Sequence, residues 1–159
     1  MAGVDYWVID EEPLVDDPIS LNIVSRKAGP LAPDFDDMVI FDWAESQTNV
    51  SIDWTNIAGA DYEERKNLIL ANGDLPDAFW NTGFSDYDIV TYGGGGMLLP
   101  LQDMVAQHAP NIATAFERYP ALKAAATAPD DNLYTIPTMI QMGPVSGIGA
   151  IRFFHSLYV

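Results

Sequence analysis

Between residues 19 and 80 the sequence alternates between strand-like and helix-like patterns, and this alternation most narrows what the chain can fold into. Ile19–Val24 places Ile19, Leu21 and Ile23 on one side of an expected first strand. Ser25 to Pro33 carries Gly29, Pro30 and Pro33 and predicts a loop. Asp34, Asp36 and Asp37 then suit the positive end of a helix, with Phe35, Met38, Val39 and Trp43 at helical spacing. Val50–Thr55 predicts a second strand. Asp61-Tyr62-Glu63-Glu64 opens a second helix that Gly73 stops, and Asp77–Trp80 predicts a third strand. Strand, helix, strand, helix, strand at this pace predicts an α/β fold with a mainly parallel sheet flanked by helices.

Further on, Leu101, Met104, Val105 and His108 form one stripe of a short helix. Pro110 starts another, with Ile112, Phe116 and Tyr119 inward. Pro129-Asp130-Asp131-Asn132 is a turn, and Leu133–Ile136 predicts a further strand. The length of 159 residues suits one domain.

Composition removes several function classes. Seven basic residues stand against 23 acidic ones, a net charge of −16, and nucleic acid and anionic lipid are both bound through clustered Lys and Arg. No partner of either kind is expected. No apolar run approaches the roughly 18 residues of a membrane span. Cysteine is absent and the two histidines, His108 and His155, lie far apart, so neither a thiol nucleophile nor a zinc site is expected. The trio Asp34, Asp36 and Asp37 lacks the Gly and terminal Glu of a calcium loop and reads as a helix start.

Gly93–Gly96 lacks the Lys-Ser/Thr and the following helix of a phosphate cradle; Pro100 comes too soon. It reads as a flexible connection. Ser85 and Ser146 both miss the G-x-S-x-G elbow, and no histidine has a supported place beside either. No hydrolase and no cofactor are expected, and the carboxylates are too abundant for spacing to single out or exclude an acid/base pair. Asn49-Val50-Ser51 fits a glycosylation acceptor and also reads as a strand start. Residues 1–18 hold six acidic residues, no basic one and two prolines, which predicts a solvated acidic leader in which Tyr6–Ile9 is one short apolar patch.

In a parallel sheet, ligands bind beyond the carboxyl ends of the strands. Those ends are Ser25-Arg26-Lys27, Asn56 onward, and Trp80-Asn81-Thr82-Gly83-Phe84-Ser85-Asp86-Tyr87. The last stretch mixes ring faces with amide, hydroxyl and carboxylate groups, which suits a polyhydroxylated ligand. Packing of Trp80 and Phe84 under a surface loop explains the same residues equally well.

Three blocks, in order, resemble a known family. Residues 67–80, NLILANGDLPDAFW, are followed by Pro100-Leu101-Gln102-Asp103-Met104 with Ala109-Pro110-Asn111, and then by residues 128–137, APDDNLYTIP. They are similar to blocks of the family-1 extracellular solute-binding proteins that serve ABC importers, in the lipoprotein-like and alginate-oligosaccharide-binding subgroup. The resemblance implies a type II periplasmic-binding-protein-like fold of two α/β lobes, with a carbohydrate held between them and delivered to an ABC permease. It implies a non-enzymatic protein outside the cell or on its surface, although this chain shows neither signal nor lipid-anchor cysteine. The chain is less than half the family's length. Residues 1–18 then read as leader or linker, 19–138 as a partial N-terminal lobe, and 139–159 as the start of a crossover toward a missing second lobe.

Carried over by position, Arg26 and Lys27 with Trp80, Asn81, Phe84 and Asp86 are the first lobe's share of the cleft, and no metal ligand falls within this stretch. The family's calcium-binding members use second-lobe residues. Half a cleft is expected to hold sugar weakly. Residues 139–159, rich in Ile, Met, Phe and Gly with one basic residue and no acidic one, are expected to pair between copies of the chain. The competing expectation is a stand-alone α/β interaction module that keeps the lobe fold without transport.

Overall fold

In the computed structural model residues 13–29, 31–140 and 152–157 are described, and the chain divides into two units, 1–76 and 77–159. The first unit holds β1 (Ile19–Arg26), a single 3-10 turn (Phe35–Asp37), α1 (Val39–Thr48), β2 (Val50–Ile57) and α2 (Tyr62–Asn72). β1 and β2 pair in parallel from Ile19↔Val50 to Arg26↔Ile57, with α1 as the crossover that a parallel pair requires. Each strand runs two residues past its expected end, because the ladder continues to Arg26 and Ile57. The alternation expected of β1 gives way in its carboxyl half, where Ile23, Val24 and Ser25 are all buried, as on a strand covered on both faces.

The Asp34–Asp37 stretch does not open α1. It makes the 3-10 turn, Met38 is extended (φ −93°, ψ 111°), and the α-helix starts at Val39. The reason is tertiary. The Phe35 ring stacks on Trp54 at 4.8 Å, and Phe41 meets the same indole at 4.8 Å, so the backbone turns to deliver both rings to β2.

Asn49 ends α1 in the left-handed region (φ 58°), and its Nδ2 donates to the Val15 carbonyl at 3.0 Å. This cap fixes residue 15 of the expected leader; residues 1–12, including the Tyr6–Ile9 patch, lie outside the described residues. α2 buries Tyr62, Lys66 and Leu70 at four-residue spacing. Gly73 stops it as expected, at φ 72°, where a side chain would strain the backbone. Lys66 is the surprise on that face. It is only 2% exposed, with its Nζ 2.8 Å from Glu63 Oε2.

The second unit holds β3 (Ala78–Trp80), α3 (Asp86–Gly94), α4 (Gln102–His108), α5 (Pro110–Arg118), α6 (Pro120–Ala126), β4 (Ile136–Ile140) and β5 (Arg152–Leu157). Leu101, Val105, Phe116, Leu122, Ala126 and Leu133 form its helical core, with Ile112 and Tyr119 packed against it. Met104 and His108 lie on the exposed side of α4, so only half of the expected stripe is buried. Proline sets the α4–α5–α6 rhythm. Ala109 (ψ 65°) and Tyr119 (ψ 77°) leave the helical region because Pro110 and Pro120 follow, and each proline then begins the next helix.

α3 and α6 are helices that the sequence reading left out, and β4 starts at Ile136, not Leu133. The Leu133 backbone is already committed, its carbonyl accepting from Leu101 N–H at 2.7 Å and its N–H donating to Gln102 Oε1 at 3.3 Å. β4 pairs antiparallel with β5, from Ile136↔Leu157 to Ile140↔Arg152, with an irregularity between Pro137 and Met139. Of the segment 139–159, residues 141–151, 158 and 159 lie outside the described residues.

Candidate ligand-binding site

At the carboxyl end of β1 in the first unit, Arg26 and Lys27 are adjacent and both engaged. The Arg26 guanidinium lies over the Tyr62 ring at 5.9 Å, and Lys27 Nζ is 2.7 Å from Asp34 Oδ1. Lys27 N–H also extends the ladder to the Ile57 carbonyl at 2.9 Å. These cations are therefore balanced within the fold, Lys27 by a carboxylate and Arg26 partly by a ring face.

Beside them stands a residue that the sequence reading named only as a strand end. Asn56 Oδ1 accepts from Ser25 Oγ at 3.0 Å and from Phe35 N–H at 3.1 Å, while its Nδ2 donates to Asp36 Oδ2 at 2.6 Å. No local pattern announces this role, because the partners lie 31, 21 and 20 residues away.

In the second unit, the turn after β3 carries Trp80, Asn81, Phe84 and Asp86 within seven residues. Trp80 ends the strand half-buried. Asn81 (φ 62°) and Gly83 (φ 58°) are both left-handed, and they flank the fully buried Thr82. Among the described residues Thr82 Oγ1 has no hydrogen-bond partner; leaving such a group buried costs about 1–3 kcal/mol.

Phe84 is half-buried and meets Phe79 edge-on at 5.3 Å and Tyr92 at 6.4 Å. Its ring thus anchors the turn. Asp86 is exposed in the first turn of α3. Ser85 is the N-cap of α3: its Oγ accepts from Asp88 N–H at 3.2 Å, and Ser85 N–H donates to Asp88 Oδ2 at 3.0 Å. The serine weighed as a nucleophile is committed to this capping box.

The far end of α3 is fixed as firmly. Gly93 and Gly94 are its last residues, not a flexible connection, and a Cβ on Gly93 would come within 2.6 Å of the Tyr134 ring. Tyr134 OH donates to Asp130 Oδ2 at 2.8 Å, and Asn132 Nδ2 donates to the same oxygen at 3.1 Å. The Asn132 amide, and after it the Tyr134 hydroxyl, hold the Asp130 carboxyl below its usual range. Burial, reinforced by Asp130, pushes the Tyr134 phenol up.

The described residues contain no group of three or more His, Asp or Glu arranged to hold a metal ion. The arrangement at Trp80–Asp86 offers a half-buried indole, a half-buried ring edge and an exposed carboxylate on a turn held at the capped start of α3.

No family model matches the chain. Over 117 residues it is 37% identical to the fructooligosaccharide ABC transporter substrate-binding protein FusA of Streptococcus pneumoniae, covering 73% of this chain and 22% of that protein. The structure of FusA in complex with kestose matches with a TM-score of 0.72 at 35% identity, covering 79% of this chain and 25% of that one. The alginate-binding protein AlgQ2, solved without calcium ion, matches with a TM-score of 0.71 at 28% identity, covering 84% of this chain and 28% of that one. The chain thus spans about a quarter of the length of these relatives. Its fold is the α/β periplasmic-binding-protein-like fold, and over this stretch the chain is homologous to solute-binding proteins of ABC transporters.

Proposed function

We propose that the chain supplies part of the first lobe of an extracellular, non-enzymatic solute-binding protein, which captures a neutral oligosaccharide and passes it to an ABC permease. The relationship to FusA, whose name states a fructooligosaccharide and whose solved complex holds kestose, carries the reading. The turn Trp80–Asp86 is taken as the sugar-contacting segment of the second unit, with Trp80, Asn81, Phe84 and Asp86 as its contacts. Arg26 and Lys27 are taken as the ligand-facing residues of the first.

The preference for a neutral sugar rests on charge. Lys27 is already matched by Asp34, and the chain carries −16 overall, so a polyuronate would meet repulsion without a dedicated cation at Lys27. A single lobe leaves one face of the ligand in water, and its affinity is expected in the millimolar range, about −4 kcal/mol.

Titrating kestose into the chain while following the tryptophan signals tests this. Trp80→Ala is expected to weaken binding by about 1–3 kcal/mol, the cost of losing an aromatic anchor. An unchanged affinity in that variant removes Trp80 from the site. Tighter binding of a uronate oligosaccharide than of kestose refutes the neutral preference.

A further inference from the structure

We infer that Asn56 is the positioning residue of the loop between β1 and α1, presetting the segment that carries Lys27 and Asp34 before any ligand arrives. Asn56 sits on β2 directly opposite Ser25 in the parallel register. From there its amide holds three separate points: the end of β1 through Ser25 Oγ, the backbone of the loop through Phe35 N–H, and the 3-10 turn through Asp36 Oδ2. The amide's orientation is forced, since a backbone N–H can only donate and an ionised carboxylate can only accept.

The described residues of 27–38 are joined among themselves by short turn bonds, Ala32 to Gly29, Asp37 to Asp34 and Met38 to Phe35. The segment's ties to the strands include the Lys27 N–H bond to the Ile57 carbonyl at its start, and then the Asn56 fork and the Phe35 ring on Trp54, while Lys27 pairs with Asp34 across the segment. Asp34 immediately precedes Phe35, so the residue that fixes the Phe35 N–H also sets where the Lys27 partner stands.

No near substitute meets all three demands. Asp keeps both acceptor bonds but sets a carboxylate against Asp36; Ala makes none of the bonds; Gln carries one more methylene than the spacing of Ser25 and Asp36 accommodates.

That the preset loop faces a sugar rests on the function proposed above; that Asn56 presets it does not. Amide hydrogen exchange at Phe35 in the intact chain reads the positioning directly, and kestose affinity reads its consequence. Asn56→Ala is expected to speed Phe35 exchange about tenfold or more, and Asn56→Asp, which keeps the acceptor for Phe35 N–H but repels Asp36, by a smaller factor, while far-UV circular dichroism is unchanged in both. Adding Asp36→Asn to Asn56→Asp restores the donor–acceptor pairing with polarity reversed, and exchange is expected to return to near the wild-type rate. Asp36→Ala, at an exposed position that cannot unfold the chain, is expected to give a smaller, few-fold acceleration.

Kestose affinity is expected to fall and recover in the same order. Unchanged Phe35 exchange in Asn56→Ala, or no recovery in the folded double variant, overturns the inference. Phe35 exchange that responds while kestose affinity does not overturns the ligand-facing role of the loop. If wild-type chain binds no kestose, the proposed ligand fails, and the exchange series alone then decides on Asn56.

Discussion

Replacing Gly93 by alanine isolates one contact on which the site turn depends. The new methyl would stand 2.6 Å, 2.7 Å and 3.0 Å from three carbons of the Tyr134 ring. That ring cannot swing aside, because it is 2% exposed and its hydroxyl is held by Asp130 and Asn132. Overpacking of this kind costs about 1–3 kcal/mol. Against it stands the helical advantage of Ala over Gly, about 0.5–1 kcal/mol.

Gly94 supplies the internal control. It lies in the same helix end, and its added methyl would meet nothing within 4 Å. Comparing the two alanine variants largely cancels propensity, so Gly93→Ala should be less stable than Gly94→Ala by about 1–3 kcal/mol. In a domain of this size each kcal/mol moves Tm by about 2–4 °C. Parallel urea and thermal melts of the two variants measure the difference. Equal stability, or a more stable Gly93→Ala, would show that Tyr134 does not pin α3.

Three further outcomes follow from the packing and charge. Tyr134→Phe should cost about 1 kcal/mol at neutral pH and raise the Asp130 pKa toward its ordinary value, as followed by carboxyl NMR. Because the folded state depresses the Asp130 pKa, its stabilisation is present above the ordinary carboxylate range and is lost as pH falls through the depressed value; the gap between wild type and variant must therefore shrink in acid. Lys66→Met, which keeps the buried stem, should change stability by less than about 1 kcal/mol or raise it, while Lys66→Ala should lose about 2 kcal/mol or more; equal losses in chemical melts would assign the effect to the charge. Light scattering over a concentration series tests self-association: because β4 and β5 already pair within the chain, a small closed oligomer through residues 139–159 would need an edge that this pair leaves open, and a mass that stays monomeric throughout contradicts pairing between copies.

What was legible in the sequence was local. Gly73 announced a helix stop, Pro110 a helix start, and the strand patterns in residues 19–80 the βαβ pair, because each depends on a few adjacent dihedral angles. Two helices were written in the same grammar and passed over. Ser85-Asp86-Tyr87-Asp88 is a capping box, though its residues read as a failed nucleophile elbow and a ligand-binding turn, and Pro120 repeats the start signal of Pro110. Elsewhere the deciding contacts were distant. Asp34–Asp37 fails to open α1 because Phe35 is drawn to Trp54, and β4 begins late because Leu133 is held by Leu101 and Gln102.

The candidate site divides in the same way. Trp80–Asp86 could be picked out as a mixed aromatic and polar stretch at a strand end. The engagement of Lys27 by Asp34 and the fork at Asn56 could not, since both exist only once β1 and β2 are paired.

The most direct test of the central claim is a residue-resolved amide NMR map of the chain titrated with kestose. The account predicts saturable shifts, with a dissociation constant of about 1 mM or weaker, concentrated at residues 80–86 and 26–27 and absent from the α4–α6 core residues. Shifts confined to other surfaces, or none at tens of millimolar sugar, would contradict it.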